Sequence, residues 1–139
     1  MKSEIIDVVN RIAVMADRRD WQACQEAFSE RVETDYTSLN GGQPATVNAN
    51  DLVNGWNAFF AKTFQTTQHL IGSHVVTITG DTALCLSNFH AHHVYLDGEK
   101  ETWTLGGFYE HGLVRTPQGW RVNRMKMTWT WEQGTRPSA

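Results

Sequence analysis

The sequence has little of what marks the specialised classes of chain. Two cysteines and three prolines in 139 residues are too few for a disulfide scaffold or a proline-stiffened linker. No apolar run approaches the roughly 20 residues of a membrane helix, so no membrane partner is expected. Positive charge is not gathered anywhere. Twelve Lys and Arg stand against 15 Asp and Glu, for a net charge of -3, and their scatter argues against a nucleic-acid partner. Met1-Lys2-Ser3-Glu4 leads straight into an amphipathic pattern, without the continuous apolar stretch of a secretory leader.

What remains is an ordinary globular composition, 40% hydrophobic and 19% charged, which excludes a disordered chain. The expectation is one cytoplasmic domain over 1–133 with a frayed polar tail over 134–139. Cys24 and Cys85 lie far apart among apolar neighbours and read as reduced core thiols, with a disulfide or a nucleophilic cysteine as the alternatives.

The chain divides into a helical first half and a strand-rich second half. Ser3 is a candidate N-cap for a helix whose apolar face is Ile5, Val8, Val9, Ile12 and Ala16. Asp20 is placed to cap a second helix carrying Trp21, Cys24 and Phe28. Val32–Tyr36 reads as a short strand, and Asn40-Gly41-Gly42 with Pro44 as a loop. Asn50 or Asp51 starts a third helix with Leu52, Trp56, Phe59 and Phe60 on its apolar side. Four strands then follow: Leu70–Thr79, Thr82–Leu96, Thr102–His111 and Trp120–Trp131, separated by turns at Gly80-Asp81, Asp97-Gly98 and Thr116–Gly119. Helices gathered ahead of an antiparallel meander must pack on one face of it. A strongly curled sheet covered in this way encloses a cone-shaped cavity. The predicted class is therefore α+β.

Six histidines are many for this length. His69 stands at the predicted mouth of the first long strand, where it either points into the cavity or bonds backbone at the strand edge; imidazole can move a proton at neutral pH. In Phe89-His90-Ala91-His92-His93 the alternation of side chains puts His93 on the same face as Ala83, Cys85, Ser87, Phe89 and Ala91. That small-residue row suits a pocket wall, although a bulge would exchange the faces and bring in His92. A His-x-His pair also admits a metal site, but the spacing is unspecific, and no metal or other cofactor is expected. Asp17, at the edge of the first helix's stripe, faces either solvent or the cavity mouth, where it would orient a histidine. Tyr36 is either a core filler or a donor to a substrate carbonyl. Trp103, Trp129 and Trp131 suit either the core or a subunit interface.

Several stretches together resemble one family. Thr67-Gln68-His69-Leu70-Ile71-Gly72, Asp35-Tyr36-Thr37-Ser38-Leu39, Asp17 ahead of Asp20-Trp21, and Gly119-Trp120 are similar to motifs of the SnoaL-like and scytalone dehydratase-like branch of the NTF2-like superfamily. The resemblance runs from Ile5 to Trp129. It implies an NTF2-like cone and a cofactor-free lyase that removes water from a small hydroxy-carbonyl substrate. Carried over by motif, His69 is the base, Asp17 its orienting carboxylate, His93 the second histidine and Tyr36 a carbonyl-side donor. His92, Tyr109, Phe89 and Trp56 are the expected substrate contacts. The family's second tyrosine is replaced by Ala16, its strand asparagine has no match, and its C-terminal extension over the pocket is missing, so scytalone itself is not the expected substrate. The same pocket could serve an isomerase, a cyclase, a dehydrohalogenase or a non-catalytic binding domain. A homo-oligomer, dimer or trimer, is expected because the resembled families form them.

Overall fold

The computed structural model describes residues 1–138; Ala139, the end of the expected tail, lies outside them. Helix α1 (Lys2–Asp17) buries Ile5, Val9, Ile12, Ala13 and Ala16 along one stripe. Its N-cap is Met1, so Ser3 sits inside the first turn rather than capping it. The chain leaves α1 through Arg19, which adopts a left-handed φ of 62°. Helix α2 (Trp21–Gln25) starts where expected, with Asp20 Oδ1 accepting from the Ala23 N–H at 3.2 Å.

Phe28 does not continue α2. It opens strand β1 (Phe28–Asp35), because the Ala27 carbonyl accepts from the Val122 N–H at 2.8 Å and draws the chain alongside the last strand. A single helical turn, α3 (Thr37–Asn40), follows Tyr36. Strand β2 (Ala45–Asn48) then pairs with the edge of β1 where a loop was expected. Helix α4 (Ala49–Thr63) is capped by Asn48, earlier than either expected cap, with its Oδ1 accepting from the Asn50 N–H at 2.8 Å.

Strands β3 (Phe64–Thr79), β4 (Thr82–Tyr95), β5 (Thr102–Thr116) and β6 (Gly119–Gly134) form the long meander. The six-stranded sheet runs β2-β1-β6-β5-β4-β3 and is antiparallel except between β1 and β6. It is therefore a mostly antiparallel α+β cone with the helices on its concave face. Register shifts at Gly72/Val75, Gly106/Gly107 and Gly112/Leu113 bend it.

One boundary correction and one unbroken alternation matter for the site. Strand β3 begins at Phe64, because Phe64 packs edge-on against Phe59 and Phe60 of α4. His69 thus lies inside the strand, opposite Ala91, and not at its mouth. Strand β4 has no bulge in its pairing with β5. Ala83, Cys85, Ser87, Phe89, Ala91 and His93 are buried on the inner face, while Leu84, Leu86, His90 and His92 are exposed on the outer one.

Within the tail, Thr135 and Arg136 are pinned. The Thr135 N–H donates to the Thr102 carbonyl at 3.0 Å, and Tyr95 donates to the Thr135 carbonyl. Arg136 grips Glu132 with two hydrogen bonds and donates to the Leu39 carbonyl at 3.1 Å. Both cysteines are free and buried, and burial pushes the thiols up to about 12 for Cys24 and about 11 for Cys85. Among the described residues no helix is long and apolar enough to cross a membrane.

Candidate active site

Between α1, α4 and the concave face of the sheet lies a cavity of about 1090 Å³. Its walls are largely apolar, with Ile12, Phe60, Phe89, Leu105 and Met127 among them, and polar side chains including His69, His93, Tyr109, His111, Lys100 and Arg136 are set into them. That composition suits a small organic molecule held by a handful of directional contacts.

At one side His69 and Asp17 form a tight pair. Asp17 is the last residue of α1, and its carboxylate is turned inward. Its Oδ1 lies 2.8 Å from His69 Nδ1, and its Oδ2 accepts from the His69 backbone N–H at 2.7 Å. Thr67 Oγ1, two residues earlier on the same face of β3, donates to Oδ1 at 2.9 Å. A carboxylate only accepts, so Nδ1 carries the hydrogen and Nε2 is left with its lone pair. His69 lines the cavity and Asp17 does not, so Nε2 is the nitrogen on the cavity side. The side chains are 17% and 16% exposed, which keeps solvent screening of the pair low.

Two residues that the sequence reading did not assign complete this side. Arg19 Nη1 donates to the Ala16 carbonyl and to Thr67 Oγ1, each at 2.9 Å. While its oxygen accepts from Arg19, the Thr67 hydroxyl turns its own hydrogen to Asp17. The Arg19 guanidinium lies 4.9 Å over the Phe60 ring, and Phe60 in turn is parallel to His69. Burial pulls the Arg19 pKa below its usual value, and Asp17 opposes that shift. Thr67 was within reach of the alternation pattern, since it stands two residues before His69. Nothing in the sequence marks Arg19, whose role depends on a left-handed backbone.

His93 faces His69 edge-on, with ring centroids 5.3 Å apart. It is 3% exposed and packed between Phe64 and Trp103. Its Nδ1 lies 2.9 Å from the Trp103 carbonyl oxygen. A carbonyl cannot donate, so this nitrogen also carries the hydrogen and Nε2 is again an acceptor. Burial, reinforced by the neighbouring His69, pushes the His93 pKa down to about 4. Trp103 is thus a buried residue of the cavity wall.

Tyr36 and Tyr109 meet on another wall. The Tyr36 hydroxyl donates to Met125 Sδ at 3.8 Å, and the Tyr109 hydroxyl lies near enough for the two to influence each other's titration. The Tyr109 O–H remains available as a donor. Burial pushes Tyr36 well up and Tyr109 up to about 12, so both are neutral donors. Phe89 and Trp56 line the same cavity. His92 does not: it is exposed on the outer face, with Nδ1 2.6 Å from Thr104 Oγ1. The unbroken alternation of β4 turns it away and corrects the expectation that it contacts substrate. His111, unassigned from sequence, is enclosed and lines the cavity. Among the described residues no group of three or more His, Cys, Asp or Glu side chains could hold a metal ion.

Fold and site together define an NTF2-like α+β cone whose pocket holds an aspartate–histidine pair. The sequence profile of the SnoaL-like domain matches residues 1–126, and the chain belongs to that family. A solved protein from Kribbella flavida is 30% identical, with a TM-score of 0.90 over 95% of this chain and 92% of that one. Two proteins of Novosphingobium aromaticivorans are also similar. One, provisionally named an aromatic ring hydroxylase, is 25% identical with a TM-score of 0.82, covering 94% and 90% of the two chains. The other, provisionally named a scytalone dehydratase, is 19% identical with a TM-score of 0.82, covering 97% and 87%, and shows the fold alone. No curated protein matches the sequence. These relations support an enzyme-like function at the level of the family without selecting a reaction.

Proposed function

We propose that the protein is a cofactor-independent lyase that removes water from a small hydroxy-carbonyl compound, cyclic or polyketide-like. The observation that carries this reading is the hydrogen bond from His69 Nδ1–H to Asp17, which leaves Nε2 as a base on the cavity side. Nε2 takes the proton α to the substrate carbonyl, and the C–H electron pair passes into the enolate. Asp17 stabilises the imidazolium that forms. Tyr109, with Tyr36 behind it, donates to the enolate oxygen. The enolate then expels the β-hydroxyl, which leaves as water with the proton returned by His69.

In this reading the division of labour differs from the one expected from sequence. His93, neutral and with its only N–H on the Trp103 carbonyl, has no proton to give. It is suited to accept a hydrogen bond from the leaving hydroxyl and orient it. His69 therefore carries the proton both ways on one face of the substrate. A single base that returns its proton would equally serve an isomerisation, and the mass of the product separates the two. The test is turnover of cyclic β-hydroxy ketones by wild type and His69→Ala, followed by mass spectrometry. A loss of roughly 10²–10⁴-fold is expected; an undiminished rate would refute the mechanism, and no turnover in wild type would favour a binding domain.

A cytoplasmic homo-oligomer, dimer or trimer, completes the proposal. The outer sheet face carries exposed Leu70, Leu84, Leu86, Phe108 and Trp131, an apolar patch of the kind that marks an interface. Sedimentation of wild type against Leu86→Lys tests it; a variant with unchanged mass would remove the patch from the argument.

A further inference from the structure

The proton-transfer scheme leaves one buried titratable group of the cavity unused. His111 stands on β5 opposite Cys85 of β4 and Met125 of β6. It is 1% exposed, lines the cavity, and lies with its ring 5.1 Å from that of Tyr109. Its Nδ1 is enclosed and has no hydrogen-bond partner. On the same inner face, diagonal to it across the β4–β5 pair, Ser87 Oγ is enclosed and unpartnered as well. Folded proteins satisfy nearly all such atoms. Two at neighbouring positions, one of them on the cavity wall, mark a place built for a polar group that comes from outside the chain.

Helix α1 serves as a ruler for its position. Asp17 bonds His69, and Asn10 Oδ1 lies 2.9 Å from His74 Nε2. Seven residues of α-helix separate these two contacts by about 10 Å. His74 lies two positions before Val76, which shares the cross-strand row of Cys85 and His111. His111 therefore closes the cavity at the far end from the reacting pair, with Tyr109 between.

Its chemistry narrows what it can hold. Burial, with His74 adding to it, pushes His111 down to about 3. The ring is neutral at ordinary pH and offers one donor and one acceptor nitrogen. It has no charge with which to pair a carboxylate or phosphate. A hydroxyl, which both donates and accepts, is its natural complement.

We propose that His111 is a distal substrate anchor, which hydrogen-bonds a neutral hydroxyl on the substrate's ring body at the end of the cavity away from the His69–Asp17 pair. The substrate is then a two-ended ring compound, with the reacting hydroxy-carbonyl at one end and an unreactive hydroxyl at the other. This rests on the reading of the cavity as a substrate pocket.

The test compares 2-naphthol with 2,6-dihydroxynaphthalene by calorimetric titration, using the full chain. Wild type should bind the diol roughly three- to tenfold more tightly, beyond the statistical advantage of two equivalent ends. His111→Phe should reduce the preference to that statistical advantage alone, and His111→Asn should restore part of it. The diol should also move the ring ¹⁵N signals of His111 in wild type, a reading that needs no variant to fold. If the preference survives in His111→Phe, or the diol leaves those signals unmoved, the anchor is wrong and a trapped water joining Ser87 and His111 takes its place. If both probes bind without a preference, the anchor alone falls. If neither binds, the pocket reading falls with it.

Discussion

Replacing Asp17 with asparagine changes one atom and puts the whole proton-transfer arrangement at risk. The carboxylate accepts three hydrogen bonds, from Thr67 Oγ1, the His69 N–H and His69 Nδ1. All three partners face it as donors. An asparagine offers one accepting oxygen and one donating NH₂, so in either rotamer a donor is set against a donor. With the oxygen kept on the backbone N–H, the NH₂ faces His69 Nδ1. The imidazole then sheds the Nδ1 hydrogen and carries it on Nε2, the cavity-side nitrogen that must be bare to act as base. A hydrogen bond to a charged group contributes about 1.5–3 kcal/mol, so weakening two of them should cost about 2–4 kcal/mol and lower Tm on the order of 10 °C. Exposure below one-fifth on both side chains leaves little reason to discount this for screening. Turnover should fall roughly 10²–10⁴-fold, as for other pairs in which an asparagine selects the wrong tautomer. The assay is the ¹⁵N spectrum of the His69 ring in wild type and Asp17→Asn, with a thermal melt alongside. If the variant keeps its hydrogen on Nδ1 and melts with wild type, Asp17 does not set the tautomer and the argument fails.

Three further outcomes follow from the same packing. Folded His93 and His111 refuse protons until about pH 4 and about pH 3, while the unfolded chain takes them up below the ordinary value near 6.5. Their stabilisation is therefore fully present above that value and is lost as pH falls through the gap, by up to about 1.4 kcal/mol per pH unit for each. Urea midpoints measured across this range should show the slope, and His111→Phe should reduce it; a flat profile in wild type would mean that neither ring is held neutral. At Gly107, beside the β5–β6 bulge, an added Cβ would collide with the Thr128 carbonyl oxygen, so Gly107→Ala should lower stability by more than about 2 kcal/mol. A wild-type melting temperature in that variant would show that the bulge can move aside. Arg19→Gly and Arg19→Ala both remove the guanidinium, but only alanine must hold a left-handed φ. Alanine should be less stable by roughly 1 kcal/mol, and equal stability of the two would place the α1–α2 joint outside that region.

Patterns of period two and period 3.6 carried much of the fold and brought the site together. Strand β4 alternates without a break, so His93 could be placed inward from sequence while His92 turned outward. The stripe of α1 ends at Ala16, so Asp17 stood at its edge with two ways to face. What settled its direction was not in the stripe. It was the start of β3 at Phe64, six residues ahead of the β-branched signal, which carries Thr67 and His69 alongside the end of α1. Strand β2 and the pinned tail escaped for a related reason. Ala45–Asn48 is held by pairing with β1, and Thr135 and Arg136 by Thr102 and Leu39. These contacts are too distant in the chain to leave a local periodicity.

The largest change concerns His93, and it shows where residue patterns stop informing chemistry. A motif can pair two histidines across a pocket and divide the work between them as base and acid. Which nitrogen carries a hydrogen is decided by the partner behind each ring. For His69 that partner is a side chain, Asp17, and a carboxylate at the end of a helix is visible in sequence. For His93 it is the main-chain oxygen of Trp103, set by a register that pairs His93 with Trp103. Every residue has such an oxygen, so no residue type announces it. That oxygen holds the Nδ1 hydrogen and, with burial, removes His93 from the list of proton donors. In the proposed mechanism one histidine then carries the proton in both directions, and the substrate presents its acidic carbon and its leaving hydroxyl to the same face.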